Sequence, residues 1–420
     1  MTSTPASLDV STAVNGEQVL VGTAHFTRRR GTVTTTFRYA DSYLANRGAY
    51  PIDPAFSLYS GAHVSTGLPG AFSDCAPDRW GKNLITKRIQ ALAARENRPA
   101  VGLSDVDFLI GVSDLTRQGA LRFQAGRDEP FLDPASEVPK LVELPRLMRA
   151  ADSVARDGGA DLAAIKELLD AGSGSLGGAR PKASVRDGDR LLIAKFPHPG
   201  DEWDVMAWER TALDLAELAG IRTPHTKLLR VDGASVLLLD RFDRQGARRV
   251  PYISAMTLLG ARDGDMHDYT EIAETLVDHA VAPKEDLREL WRRIAFSIAV
   301  HDTDDHLRNH GFLRAGAGWT LAPVFDVNPN PDPGTQRVTG IGGARERGDE
   351  VEALIRYADV FDMDAQQAQS ALGEVASAVE RWREVAARNG INSTEMLRFQ
   401  AVFDGGIRPW SKPSRTSRPR

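Results

Sequence analysis

Residues 172–239 constrain this chain more than any other stretch. A glycine-rich run, Gly172-Ser173-Gly174-Ser175-Leu176-Gly177-Gly178, leads into two β-type runs at 183–186 and 190–196. Between them lies Asp187-Gly188-Asp189, a hairpin turn sequence. A helical stretch over about 205–219 follows and ends near Gly220, the residue a helix C-cap favours. Two more β-runs, 226–231 and 235–239, turn on Asp232-Gly233. The order is therefore glycine loop, strand, strand, helix, strand, strand. Residues 172–177 also match G-x-G-x-x-G, but a dinucleotide site needs a strand before that motif and a helix after it. Here a helix-like segment (162–169) precedes and a hairpin follows, so the dinucleotide reading fails.

That order is the one found in the small lobe of protein kinases. Downstream, Leu287, Trp291, Ile294, Ile298 and His301 recur at helical spacing, which predicts an amphipathic helix. It runs into His301-Asp302-Thr303-Asp304-Asp305-His306-Leu307-Arg308-Asn309. Short β-runs at 311–314 and 319–321 then form a hairpin that delivers Asp326 near the same loop. From 351 onward the pattern is helical, broken at Asn389-Gly390 and Asn392-Ser393. Near the start, β-runs at 19–26 and 32–39 flank Arg28-Arg29-Arg30-Gly31, and 79–97 reads as a helix. The acid- and proline-rich stretch 126–140 marks a boundary. The expected fold is α+β: a kinase-like, two-lobed architecture with an extra N-terminal α/β subdomain. Its segments are the subdomain 1–125, a β-rich small lobe 126–245, an α-rich large lobe 246–404 and a basic, disordered tail 405–420.

Composition bounds the function. With 420 residues, 42% of them hydrophobic, the chain can bury a core in two or three domains. A balance of 52 basic against 57 acidic residues, net −5, argues against a protein dedicated to nucleic acid. The single cysteine, Cys75, can form neither an internal disulfide nor a zinc cage. The first 18 residues lack a basic start followed by an apolar run, and no apolar stretch is long enough to span a bilayer. A cytoplasmic protein without membrane partners is expected.

Phosphoryl transfer needs a cation to hold phosphates, oxygen ligands for magnesium, and a carboxylate to orient the attacking hydroxyl. Kinases place that carboxylate five positions before a metal-binding Asn, which is the spacing of Asp304 and Asn309. Asp326 follows on the next hairpin as a further hard oxygen ligand. Alone, D-x-x-x-x-N arises by chance, and each residue could equally cap or terminate a loop. The combination with Lys195, inside a β-run and after the glycine loop, is what carries the reading. Lys195 would grip nucleotide phosphates, with Glu209 on the following helix as its ion-pair partner; the plainer alternatives are a solvent-facing strand lysine and an exposed helix glutamate. Residues 240–244, Asp240-Arg241-Phe242-Asp243-Arg244, end the second hairpin where a hinge would meet adenine, or else form a charged, solvated connection.

With those residues placed, the chain resembles the HipA-type serine/threonine kinases of type II toxin–antitoxin systems. The resemblance rests on Ser175-Leu176-Gly177-Gly178-Ala179-Arg180-Pro181-Lys182, Ala194-Lys195-Phe196 and Arg241-Phe242-Asp243-Arg244. Thr303-Asp304-Asp305-His306-Leu307-Arg308-Asn309 and Pro323-Val324-Phe325-Asp326 complete it, in family order, over roughly 160–330. The resemblance implies an ATP- and magnesium-dependent protein kinase in which Asp304 is the catalytic base and Asn309 and Asp326 bind Mg2+. It implies that ATP is held by Lys195, Gly174, Ser175, Gly177, Gly178 and Arg308, with Asp240 and Phe242 at the adenine hinge. Ser175 matches the loop serine that family members autophosphorylate. It further implies a HipB-like helix-turn-helix antitoxin as partner, with DNA reached only through that antitoxin, and a translation protein such as an aminoacyl-tRNA synthetase as substrate. The N-terminal segment departs from the family pattern at Phe56-Ser57-Leu58-Tyr59 and Asp74-Cys75-Ala76-Pro77.

Two other classes compete. A metal-dependent phosphohydrolase could use the crowded His301, Asp302, Asp304, Asp305 and His306, and would not need Lys195 or the glycine loop. A non-catalytic, partner-binding corepressor could keep the fold without activity. Intact Lys195, Asp304, Asn309 and Asp326 argue against the latter.

Overall fold

A computed structural model describes residues 5–407 and Trp410, apart from 30–31, 101, 133–136, 157–160 and 174–179. The described chain packs as two compact units: residues 1–201 with 225–261 and 311–317, and residues 202–224 with 262–310 and 318–420.

Two antiparallel sheets organise the first unit. The N-terminal strands are β1 (Ser7–Val14), β2 (Glu17–Arg29), β3 (Thr32–Tyr39), β4 (Ala62–Thr66) and β5 (Arg122–Gln124). They lie in the order β4-β3-β2-β1-β5. Alternation decides the buried face: Val33, Thr35, Phe37 and Tyr39 of β3 are inside while their neighbours are not. The expected hairpin of residues 19–26 and 32–39 is present as β2 and β3.

The second sheet contains β6 (Lys182–Asp187), β7 (Arg190–Lys195), β8 (Thr226–Val231) and β9 (Ala234–Asp240), ordered β6-β7-β9-β8. Both expected hairpins form. The β8–β9 turn has positive φ at Asp232 and Gly233 (47° and 84°), the combination a tight two-residue turn requires. Three helices cover this sheet: α1 (Arg79–Arg95), α2 (Leu144–Arg156) and α3 (Leu162–Asp170). Trp80 and Leu84 of α1 share one core with Leu147, Ile165, Val185 and Leu238. The stretch at 126–140 thus connects elements of a single core.

The second unit is mainly helical: α4 (Val205–Leu218), α5 (Tyr269–His279), α6 (Pro283–Val300), α7 (Glu350–Arg356), α8 (Ala365–Val379), α9 (Trp382–Arg388) and α10 (Ser393–Ile407). Helix α4, expected within the small lobe, packs into this unit through Trp208, whose ring lies 3.9 Å from that of Phe399 and 6.2 Å from that of Trp382. Helix α10 runs through Gly405 and Gly406, where the sequence places the start of the tail. The reason is close packing: a Cβ on Gly406 would stand 2.5 Å from the Ala299 carbonyl of α6. Among the described residues no helix is long and apolar enough to cross a membrane.

Candidate active site

Helix α6 is the platform for the Asp304 loop. Pro283 opens it, where a missing N–H does no harm. His301 closes it in the left-handed region at φ 56°. The next turn is tied down at once: Asp302 N–H donates to Ser297 O at 2.9 Å, and Ser297 Oγ donates to Asp302 O at 3.0 Å. Beyond it, Asp304 is exposed and Asp305 buried. Asn309 reaches back, its Nδ2 donating to Asp304 O at 3.3 Å, so one loop holds both ends of the five-residue spacing.

The Asp326 segment runs beside this loop. Asn330 N–H donates to His301 O at 3.0 Å and Asn330 Nδ2 to Thr303 Oγ1 at 3.1 Å. Asp326 sits at φ 60°, a conformation few non-glycine residues adopt and one that concentrates at functional sites. Asn328 Nδ2 supports it by donating to Asp326 O at 3.1 Å. Asp302, Asn309 and the two neighbours of Asp326, Phe325 and Val327, line one cavity of about 10 Å³. The structure therefore brings Asn309 and the Asp326 segment together.

Behind the loop is a buried polar network that sequence reasoning missed. Asp305 accepts from Tyr269 Oη at 2.5 Å and lies 2.8 Å from His310 Nε2. Arg337 bonds the same Tyr269 hydroxyl at 3.1 Å and pairs with Glu350. Burial works against the Asp305 carboxylate, but His310, Tyr269 and Arg337 outweigh it and hold the group below its usual range. Burial and the charge of Asp305 push Asp302 well above its own. Counted from Asp305 these partners lie 5 to 45 residues away in the chain, so no local pattern reveals the network.

The oxygen donors suit magnesium. Asn309 and Asp326 are hard ligands of the right kind, and Asp302 Oδ1 and Asn328 Oδ1 are buried beside them with no hydrogen-bond partner among the described residues. The alternative cluster does not converge: His301 Nε2 is spent on Asp332 O at 2.8 Å and Asp305 on Tyr269 and His310. Among the described residues no three His, Cys, Asp or Glu side chains are grouped to hold a metal ion. Arg308 forms a two-pronged pair with Asp263, at 2.8 and 2.9 Å from one nitrogen. Glu209 is fully buried in α4, which rules out an exposed helix residue.

The remaining candidates belong to the first unit. Lys195 ends β7 and is only 6% exposed, opposite Leu237 of β9, so it is not a solvent-facing lysine. Asp240 closes β9 with Arg190 Nη1 3.3 Å away, and the Phe242 ring stands 6.1 Å from that of Tyr252. Residues 241–244 are not a solvated connection. Asp243 accepts from Arg241 at 2.6 Å, Arg244 at 2.8 Å and the Gly119 N–H at 2.7 Å, while Arg241 donates to Thr116 O at 2.6 Å. Charges go inside here because each has a partner. Gly174, Ser175, Gly177 and Gly178 lie outside the described residues. Their flanks are fixed: Ser173 Oγ donates to Lys182 O, and Gly172, at φ 65°, leaves no room for a Cβ beside Thr116.

Comparison with known proteins agrees with this architecture. The family model of the HipA N-terminal domain matches residues 13–103, and that of the HipA-like C-terminal domain matches 174–383, half of the chain. The structure is similar to HipA of Shewanella oneidensis MR-1, solved with HipB and its operator DNA, at TM-score 0.63 and 14% identity over 95% of this chain and 96% of that one. The Helicobacter pylori proinflammatory kinase CtkA gives a TM-score of 0.38 at 16% identity over 56% of this chain and 93% of its own, too low to support an inference. Two family domains in order, on a shared whole-chain fold, mean that this chain belongs to the HipA family.

Proposed function

We propose that this protein is an ATP- and magnesium-dependent serine/threonine protein kinase acting as the toxin of a HipBA-like pair. The observation that carries the reading is the Asp304 loop: an exposed Asp304 carboxylate, a buried Asn309 bonded back to the Asp304 backbone carbonyl, and the Asp326 segment against the cavity that Asn309 lines. Asp304 would orient a serine or threonine hydroxyl and receive its proton as the γ-phosphoryl group leaves ADP for that oxygen. Lys195, with Asp240 and Phe242 at the hinge, would hold the nucleotide. Asn309 and Asp326 would hold magnesium, which when bound offsets phosphate charge. A buried lysine in place of a solvent-facing one supports this assignment.

The likeness to a HipA solved with HipB and DNA supports a HipB-like helix-turn-helix partner, with DNA met through that partner. Family resemblance supports autophosphorylation of Ser175 and a substrate of the translation machinery such as an aminoacyl-tRNA synthetase. Incubating the protein with γ-labelled ATP and Mg2+ tests the core of the proposal. Label should appear on protein serine or threonine, and release of free phosphate with no labelled protein would refute it.

A further inference from the structure

We propose that Asn330 is a positioning residue for the base Asp304, acting through Thr303. The inference rests on the kinase reading of Asp304 and adds to it what holds that residue in place. In the run from His301 to Asp305 every residue is buried except Asp304. Alternate members of the run are bonded to one segment, residues 330–339, which follows Asp326 in the chain. His301 O accepts from the Asn330 N–H at 3.0 Å, and His301 Nε2 donates to Asp332 O at 2.8 Å. Thr303 Oγ1 accepts from Asn330 Nδ2 at 3.1 Å, and Thr303 O accepts from the Val338 N–H at 2.9 Å. Asp305 O accepts from Thr339 Oγ1 at 2.6 Å. Both chain neighbours of Asp304 are thus pinned, and the exposed residue lies between them.

The chain around Asn330 is built to stay where it is. Pro329 and Pro331 flank it, and Pro333 follows. A proline fixes its own φ and keeps the residue before it out of the helical region. Little conformational freedom is therefore lost when Asn330 docks. Its amide is oriented as well: Oδ1 accepts from the Asp332 N–H at 3.0 Å, which turns Nδ2 to Thr303. Thr303 is only 4% exposed, so water competes little for the contact. The far end of the segment is fastened by Arg337, which pairs with Glu350 and donates to Ser297 Oγ at 2.9 Å on α6, the helix that carries the loop. A base that orients a hydroxyl gives its full effect only when it stands within a fraction of an ångström of its place. In this role Asn330 touches neither nucleotide nor substrate; it sets where Asp304 stands.

The test is a double-mutant cycle on the full chain. It reads label transfer from γ-labelled ATP to the chain itself and to casein over a range of Mg·ATP concentrations, beside thermal melting. Asn330→Ala removes the amide, and Thr303→Val removes only the hydroxyl it meets. Each single change should lower the limiting rate about tenfold and leave the KM for Mg·ATP within about twofold, since nucleotide binding does not pass through this contact. The double variant should fall no more than about threefold below the weaker single, because both changes remove one contact. Thr303→Ser, which keeps the hydroxyl, should stay within about threefold of wild type. A merely structural contact would lower the melting temperature and leave the rate per folded molecule unchanged. Singles within about threefold of wild type, losses carried by KM instead of the limiting rate, or additive losses in the double variant overturn the proposal. Should one single variant fail to fold, the other decides by the same split between rate and KM. A wild-type chain that labels neither itself nor casein removes the kinase reading and this inference together. Silent singles beside a labelling wild type sink the inference alone.

Discussion

Asp304 and Asp305 are neighbours in sequence and opposites in environment: the first is exposed, while the second is buried against Tyr269 at 2.5 Å and His310 at 2.8 Å. The two positions should separate chemistry from stability. Asp304→Asn should reduce phosphoryl transfer by several orders of magnitude and move the melting temperature by only a few degrees. Asp305→Asn should leave the base in place but destabilise the protein by roughly 3–5 kcal/mol, because it breaks a buried charged network. Paired measurements of label transfer and melting decide this. Equal activity losses with equal stability would contradict the assignment.

Lys195→Ala should weaken Mg·ATP binding and abolish most transfer, while β7 stays paired to β6 and β9 through its backbone. Titration calorimetry with and without Mg2+ reads it directly. Wild-type activity in this variant would remove the lysine from the mechanism.

Asp243 gives a pH-dependent expectation. Burial alone would raise its carboxyl, but Arg241 and Arg244 hold it far below the ordinary range. A depressed carboxylate contributes stability that is full above its unfolded pKa of about 3.9 and fades as pH falls below that value. Asp243→Asn should therefore lose roughly 3–5 kcal/mol at neutral pH. The gap from wild type should stay constant from about pH 7 to 5 and narrow below about pH 4. Denaturant melts across that range would show it, and a gap that widens with acid would be the wrong sign.

Ser175 should acquire phosphate when the wild-type chain is incubated with ATP, and that form should be inactive. A dianion beside the nucleotide phosphates would repel them. Peptide mass spectrometry locates the modification. Phosphate found only at other positions, or full activity in the Ser175 phosphoform, would end the autoinhibition idea and leave the kinase assignment standing.

Local signals in the sequence settled a good part of this protein. β-type runs and Asp-Gly turns point to the β6–β7 and β8–β9 hairpins, since turn geometry is a property of two adjacent residues. The helical repeat from Leu287 to His301 places α6, and the spacing of Asp304 and Asn309 picks out the loop after it. Tertiary structure decided which charges go inside. Nothing adjacent to Asp78 or Asp305 announces that each is buried, because their partners Lys182 and Tyr269 lie 104 and 36 residues away. Burying a charge is unfavourable until its partner arrives from elsewhere in the chain, and that arrival is a property of the packed fold alone. The same holds for Gly406, which reads as the start of the tail and serves as the surface on which α10 meets α6.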